Sequence, residues 1–389
     1  MKPASKYSIY QCQDGRFRAK FQVKGQQFNI YGKTKSEVLS KLKAKLEQVE
    51  LARTYQLDNF LQSEKLTVEQ WARICLETYS KATVRESTYA NYLSIVEHHL
   101  GTLGDYKLSS VTNAMIQDHL IREARKPGKE DGLGEKSLTN IKVFLSLIFN
   151  QAVRNGYIFR NPVPGVKIPK AGKKETIALT EDQQRNLLTA AREYPKPIMF
   201  AVVFALYTGC RKGEVLGLLW KDVDFDEGVI HITKQLSRSR SITEYEDHTS
   251  KLKVSEPKTK SSIRDIYMFP SFKREFEEYK TNMIEWKDEN NFIHSEDDNV
   301  FVGMKNQPIE PRVFYKYYQE VMEQAGIEDA NFHTLRHTFA TRCIENGMDI
   351  LMVARTLGHS NVSTTLNRYS HLLQMHQKAS MEKLEAIYF

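Results

Sequence analysis

Six side chains in the second half of the 389-residue chain could do chemistry together: Arg211, Lys258, His333, Arg336, His359 and Tyr369. Two arginines and two histidines can clamp a phosphodiester and offset charge gathering on its nonbridging oxygens. A tyrosine can attack phosphorus and hold it covalently, which conserves the bond for later reversal. A lysine can protonate the departing 5′ oxygen. Singly, each signal is weak. An arginine at a helix start is usually a surface ion pair, a buried histidine usually a satisfied core residue, and most of the 19 tyrosines belong to the core. The i, i+4 pair His333 and His337 could chelate zinc, but no glutamate of an HExxH motif lies between them and no cysteine cluster is near.

These groups need a scaffold. Thr180 with Glu181 and Gln183 opens a helix, and a large final domain is predicted over 175–389. In it, Tyr207-Thr208-Gly209-Cys210-Arg211 carries a glycine break and then an arginine at the start of an apolar helix. Two strands follow, 228–233 and 263–268, with Lys258 in a turn before the second. Upstream, helices are predicted from Thr67 to about Tyr79, Ser87 to Leu100, Thr112 to Glu123 and Glu135 to Asn155. The last has Leu138, Ile141, Phe144, Leu145, Ile148, Phe149 and Ala152 on one face. Asn161-Pro162-Val163-Pro164 ends this block, so 66–165 reads as one helical domain, and lysine-rich 166–178 as a linker.

The start of the chain differs. Residues 7–32 alternate polar and apolar, with turns at Asp14-Gly15 and Lys24-Gly25, which predicts three short strands in hairpins. Thr34 and Glu37 then look like a capping box for a helix with Val38, Leu39, Leu42, Leu46 and Val49 on one face. Residues 51–65 read as a polar connector. Residues 1–56 hold twelve Lys and Arg against four Asp and Glu, so the whole excess of +8 sits in the first seventh of the chain. A basic module on a neutral body suggests a polyanion, most often nucleic acid. Its exposed strand face carries Arg16, Arg18 and Lys20, a row a sheet can place in a DNA major groove, though an ordinary solvated face would look the same. Lys129, in a Gly/Lys-rich loop of the helical block, is a further candidate for DNA contact. No apolar run approaches the roughly 18 residues of a membrane span. The polar start shows no signal peptide, and the four scattered cysteines suit the cytosol better than a disulfide scaffold or a zinc ribbon. The fold class expected is multidomain and mainly α with small β-sheets.

In order, Thr208-Gly209-x-Arg211-x-x-Glu214, the Lys258-Thr259 turn, His333-x-Leu335-Arg336-His337, Leu357-Gly358-His359 and Tyr369 resemble the motifs of the tyrosine recombinase, or phage integrase, family. The helical block resembles the family's SAM-like core-binding domain. Residues 1–56 resemble the arm-binding domain of integrases from conjugative transposons and some Gram-positive phages. The resemblance implies a site-specific recombinase that integrates and excises a mobile element through a 3′-phosphotyrosine and a Holliday junction, without metal, nucleotide or other cofactor. It assigns Arg211 and Arg336 to the scissile phosphate, Lys258 to general acid catalysis with Lys260 as its rival, His333 to proton transfer near the nucleophile, His359 to a phosphate hydrogen bond and Tyr369 to attack. Glu214 would support the Arg211 helix, and His337 is read as structural. The partners implied are double-stranded core and arm sites, an excisionase or DNA-bending factor, and three further copies of the chain, joined through the C-terminal tail, in a cytoplasmic tetramer on DNA. Many relatives have a tight hairpin where this chain has 237–256, which is read as an extended β-insertion touching DNA or a neighbouring subunit, or else as a loose loop. A chromosomal dimer-resolution recombinase, a type IB topoisomerase and a DNA-binding accessory protein without catalysis are the alternatives.

Overall fold

The computed structural model describes residues 7–23, 26–54, 59–60, 62–125, 132–169, 178–240, 250–257, 260–328, 330–363, 365–366 and 369. Lys129, Lys258, Thr259, the tail from Ser370 and most of the predicted linker lie outside them. Contacts divide the chain into two compact units, Met1–Gly172 and Lys173–Phe389. Among the described residues, no helix is long and apolar enough to cross a membrane.

The first unit opens with the predicted strands, β1 (Ser8–Gln11), β2 (Phe17–Val23) and β3 (Gln26–Gly32), in one antiparallel sheet with β2 central. The period of two sorts their faces. Ala19 and Phe21 turn inward onto Val38 and Leu42 of α1 (Lys35–Thr54), which covers one face. Thr34 caps α1 by accepting the Glu37 N–H at 3.1 Å, and the Glu37 carboxylate takes the Lys33 N–H at 2.8 Å, so the box closes one residue early. The predicted connector is shorter than expected, because α1 continues through Thr54 and buries Ala52.

The helical block follows as α2 (Val68–Cys75), α3 (Glu86–His98), the short α4 (Gly101–Asp105), α5 (Asn113–Ala124) and α6 (Glu135–Arg154). A full capping box joins Thr67 to Gln70. The helix predicted to reach Tyr79 stops as α-helix at Cys75 and widens into a π turn over Leu76–Ser80, closed by the Lys81 N–H on the Leu76 carbonyl. That wider turn keeps both Leu76 and Ser80 buried. Every apolar residue predicted for the inner face of α6 is buried, and the Trp71 indole donates to the Ile148 carbonyl at 2.8 Å, tying α2 to α6.

The second unit begins with α7 (Glu181–Glu193), capped by the predicted Thr180–Gln183 box. Next comes α8 (Phe200–Thr208), buried from Phe200 through Leu206, as expected of a helix that is apolar all round. Its Phe204 ring meets Phe272, Phe276 and Phe301 edge-on, with centroids 5.4–5.9 Å apart. After α9 (Lys212–Leu216), β4 (Val223–Asp224) pairs with β5 (Val229–Ile232). Then β6 (Gln235–Arg240) and β7 (Ser250–Ser255) form an antiparallel ribbon, and β8 (Arg264–Tyr267) returns to β5. The insertion is therefore an extended β-ribbon, its tip outside the described residues. Two glycines seat it: a Cβ on Gly217 would lie 2.6 Å from the Leu236 nitrogen, and one on Gly213 2.9 Å from the Leu236 oxygen. The unit closes with α10 (Pro270–Glu289), α11 (Pro311–Gln324), α12 (Phe332–Glu345) and α13 (Ile350–Leu357).

Candidate active site

Two helix ends create the site. α8 stops at Gly209 with φ +64°, and α13 stops at Gly358 with φ +67°, the left-handed conformation that glycine tolerates. Gly209 has a second constraint: a Cβ there would lie 2.5 Å from the Phe339 ring on α12. Helix C-termini present carbonyls that carry partial negative charge, and here they receive cations. Arg336, from α12, donates to the Gly209 carbonyl at 3.0 Å and to the Leu357 carbonyl at 2.6 Å. Arg211, the N-cap of α9, donates to the Gly358 carbonyl at 3.2 Å.

Glu214 binds the arginines to one another. One of its oxygens accepts from the Arg211 guanidinium at 2.6 Å. The other accepts the Arg211 backbone N–H and a guanidinium N–H of Arg264, both at 2.9 Å. Arg264 also donates to the Thr356 carbonyl at 2.5 Å and the Ser262 carbonyl at 3.0 Å. It thus fastens β8 to α9 and α13. Glu214 supports Arg211 as expected from the sequence. Arg264 was not anticipated as part of the site. Its signal was an arginine at the start of a strand, sharing the inward face with Ile266.

The electrostatics follow from the count. Among the described residues, two guanidiniums pair with one carboxylate and Arg336 adds a third positive charge, in a nearly dry setting: the side chains of Arg264 and Glu214 are 6% and 2% exposed. Burial pushes the Glu214 carboxyl up, but Arg264 and Arg211 outweigh it and hold it below the usual range. Burial, with Arg211 beside it, lowers the Arg336 guanidinium from its ordinary value to about 9. The site holds more positive charge than its own residues neutralise. Arg211 stays 35% exposed, whereas Arg336 is 2% exposed. Such an arrangement can receive an anion, with Arg211 nearer the surface and Arg336 buried.

Beside it lies the tyrosine. Tyr369 is buried in an apolar cluster with Ala340, Ile344, Val353 and Leu357. Leu357 joins the two parts, since its carbonyl takes Arg336 and its side chain packs in the Tyr369 cluster. The Tyr369 hydroxyl lies 3.1 Å from His337 Nδ1. His337 in turn meets the ring of His333 edge-on, with centroids 4.7 Å apart. The sequence reading set His337 aside as structural and missed this contact. His333 is exposed near the start of α12. His359 follows Gly358, and its Nδ1 sits 2.7 Å from Thr365 Oγ1. Of the six predicted residues, Arg211, Arg336 and His359 gather around the two helix ends. His333 and Tyr369 gather around His337, and Lys258 is outside the described residues.

In the first unit, the uncovered face of the sheet has Tyr10, Arg18 and Tyr31 in one cross-strand row and Ser8, Lys20 and Asn29 in the next. Arg18 stacks on both tyrosines, 5.4 and 5.7 Å from their ring centroids, and donates to Asn29 Oδ1. Arg16 stands in the turn just before β2, paired with Asp14 at 2.6 Å and 5.5 Å from the Tyr31 ring. The face is basic and aromatic.

Sequence comparison places these features among known proteins. A profile described as the phage integrase family matches residues 178–376, and one described as the phage integrase N-terminal SAM-like domain matches residues 67–123. The chain is 26% identical over 369 residues to a tyrosine recombinase XerC-like protein of Caldanaerobacter subterraneus subsp. tengcongensis, covering 92% of this chain and 91% of that one. It is 29% identical over 300 residues to the ICEBs1 integrase of Bacillus subtilis, covering 76% and 77%. Its fold is similar to the Tn1549 transposon integrase in complex with transposon right end DNA, with a TM-score of 0.67 and 25% identity over 82% of this chain and 100% of that one.

Proposed function

We propose, from the premise that the chain belongs to the phage integrase family, that its under-neutralised arginine cluster is the site at which it cuts and rejoins DNA. The protein is a tyrosine recombinase of the kind that integrates and excises mobile elements. The observation that carries the site reading is the arginine cluster itself. Arg211 and Arg264 share one carboxylate, while Arg336 is held only by two backbone carbonyls, and burial lowers its guanidinium to about 9 for want of an anion of its own. A phosphodiester would supply that anion.

The residues take these roles. Arg211 and Arg336 bind the nonbridging oxygens of the scissile phosphate, and His359 adds a hydrogen bond. Their charge is worth most where it builds up, on the pentacoordinate transition state. Tyr369 Oη attacks phosphorus and the P–O5′ bond breaks, leaving a 3′-phosphotyrosine. Lys258 gives its proton to the departing 5′ oxygen, and His333 assists proton transfer at the tyrosine. Attack by a second strand's 5′-hydroxyl reverses the sequence and expels Tyr369. The bond energy is conserved throughout, so no external energy source enters.

The remaining parts serve DNA. Arg18 and Lys20 on the sheet, with Arg16 in the turn before it, bind arm-site DNA; the helical block binds the core site, with Lys129 as a further DNA contact. Four copies assemble on paired sites in the cytoplasm, each tail docked on its neighbour, and an excisionase or DNA-bending factor sets direction. Strand exchange between two labelled duplexes carrying the ends of the host element tests the reading. The expected product is a reciprocal recombinant that passes through a Holliday junction. Plasmid relaxation with no exchange would make the protein a topoisomerase instead. A full-length relative named XerC-like favours a second reading, chromosome dimer resolution. Exchange confined to a chromosomal site would select it.

A further inference from the structure

We infer that His337, rather than His333, takes the proton from Tyr369 during attack on the phosphate. The inference rests on Tyr369 being the nucleophile. The hydroxyl that must lose its proton lies 3.1 Å from His337 Nδ1, within the reach a general base needs. His333 is one helical turn earlier and touches the ring of His337, with centroids 4.7 Å apart. The pair is buried: His337 is 5% exposed and Tyr369 5%. An apolar cluster surrounds the tyrosine, and a phenylalanine would fill the same space without needing a partner. A neutral imidazole beside a phenol in that setting binds the hydroxyl before reaction and can accept its proton during it.

The balance is direct. As Tyr369 Oη bonds to phosphorus, its proton moves to His337 Nδ1 and the ring becomes an imidazolium. The P–O5′ bond breaks, and the 5′ oxygen takes its proton from the general acid. In religation, the imidazolium returns its proton to the departing tyrosine oxygen. The productive tautomer carries its resting proton on Nε2, so that Nδ1 accepts from the hydroxyl. Titratable groups that touch the ring include His333 on the same helix and Tyr369 from the segment after α13. His333 is the residue to test as rival.

The experiment measures covalent adduct formation on a nicked suicide substrate from pH 6 to 9, with DNA affinity and melting temperature as controls. His337→Gln keeps a polar side chain but cannot take the proton. It should be slower by about 10²-fold or more at pH 7, the usual worth of general base catalysis. Its defect should shrink with rising pH, because the phenolate then forms without help. Trifluorotyrosine at position 369, a more acidic phenol, should recover most of the loss in His337→Gln and, in the parent, flatten the acid limb of the pH profile. His333→Gln is the rival to compare: a loss rescued by the acidic phenol there and not in His337→Gln would overturn the inference. A His337→Gln rate within threefold of the parent, or above it, would overturn the inference. A loss that is equal at all pH values and unmoved by the acidic phenol would do the same, since it marks a merely structural contact. If His337→Gln does not fold, trifluorotyrosine in the parent decides. A flattened acid limb of the pH profile supports the base, and an unchanged limb refutes it. Tyr369→Phe separates the two claims: an adduct formed by that variant would mean another residue attacks and would overturn both, whereas no adduct in Tyr369→Phe together with a normal rate in His337→Gln would overturn only the base assignment.

Discussion

Replacing Arg336 by methionine should stabilise the DNA-free protein while abolishing its chemistry. Arg336 is 2% exposed, and its guanidinium falls from its ordinary value to about 9, chiefly through burial. At ~1.4 kcal/mol per pH unit, that difference corresponds to about 5 kcal/mol of cost in keeping the charge inside. Two hydrogen bonds, to the carbonyls of Gly209 and Leu357, offset it. At about 1.5 kcal/mol each for a charged donor, they return about 3 kcal/mol. Methionine fills similar space without charge, so the net gain is about 2 kcal/mol. Urea unfolding should then show a midpoint raised by about 1 M, at a slope of about 2 kcal/mol per molar. The pH dependence has a definite sign. The folded protein holds Arg336 below its unfolded value, so its cost is full below pH 9 and fades as pH climbs from there toward 12.5. The advantage of Arg336→Met should be flat from pH 6 to 8 and shrink above 9. Core-site DNA should stabilise the parent more than the variant. An unfolding midpoint below the parent's, or unimpaired cleavage, would refute the reasoning that this residue is kept for an anion the resting protein lacks.

Glu214→Gln should act in the opposite direction, losing about 3–5 kcal/mol, because it removes the carboxylate shared by Arg211 and Arg264 and leaves buried charge unpaired. Since the Glu214 carboxyl titrates below its ordinary value, its contribution is present above pH 4.5 and is lost as pH falls, so parent and variant curves should converge in acid. Lys258→Ala should slow cleavage by about 10²–10⁴-fold, and a 5′-bridging phosphorothiolate, whose sulfur leaves without a proton, should restore it. Rescue of Lys260→Ala instead would move the general acid there. Removing residues 1–56 should abolish arm-site binding and flatten its dependence on salt while cleavage at core sites persists, read by footprinting across a salt series.

Much of the scaffold was legible because local rules and tertiary packing agreed. The alternation through Ala19 and Phe21 placed the sheet against Val38 and Leu42, and the helices capped by Thr67 and Thr180 start where those threonines predicted. The stripe from Leu138 to Ala152 became the buried face of α6. Failures fell where a distant partner decided the outcome. The π turn at Leu76–Ser80 buries Ser80 where the α-helical stripe would continue at Tyr79, and nothing in that segment announces it. Gly213 and Gly217 read as helix-weakening residues until β6 lies across them. In the site, Arg211 and Arg336 were visible by type and order. Arg264 was hidden in a strand, and the His337–Tyr369 hydrogen bond joins residues 32 positions apart. Periodicity along α12 marks His337 as inward-facing, but it cannot say that what it faces is a hydroxyl.

The most direct test of the account is the chemical identity of the protein–DNA linkage. The protein is incubated with a nicked core-site suicide substrate, digested with protease and nuclease, and the modified peptide is sequenced by mass spectrometry. The account predicts one nucleotide-bearing peptide, with the DNA 3′-phosphate on Tyr369 and a free 5′-hydroxyl on the other fragment. Tyr369→Phe should bind the same DNA with unchanged affinity and yield no adduct. A linkage on another residue, a 5′-phosphoryl linkage, or an undiminished adduct in Tyr369→Phe would contradict it.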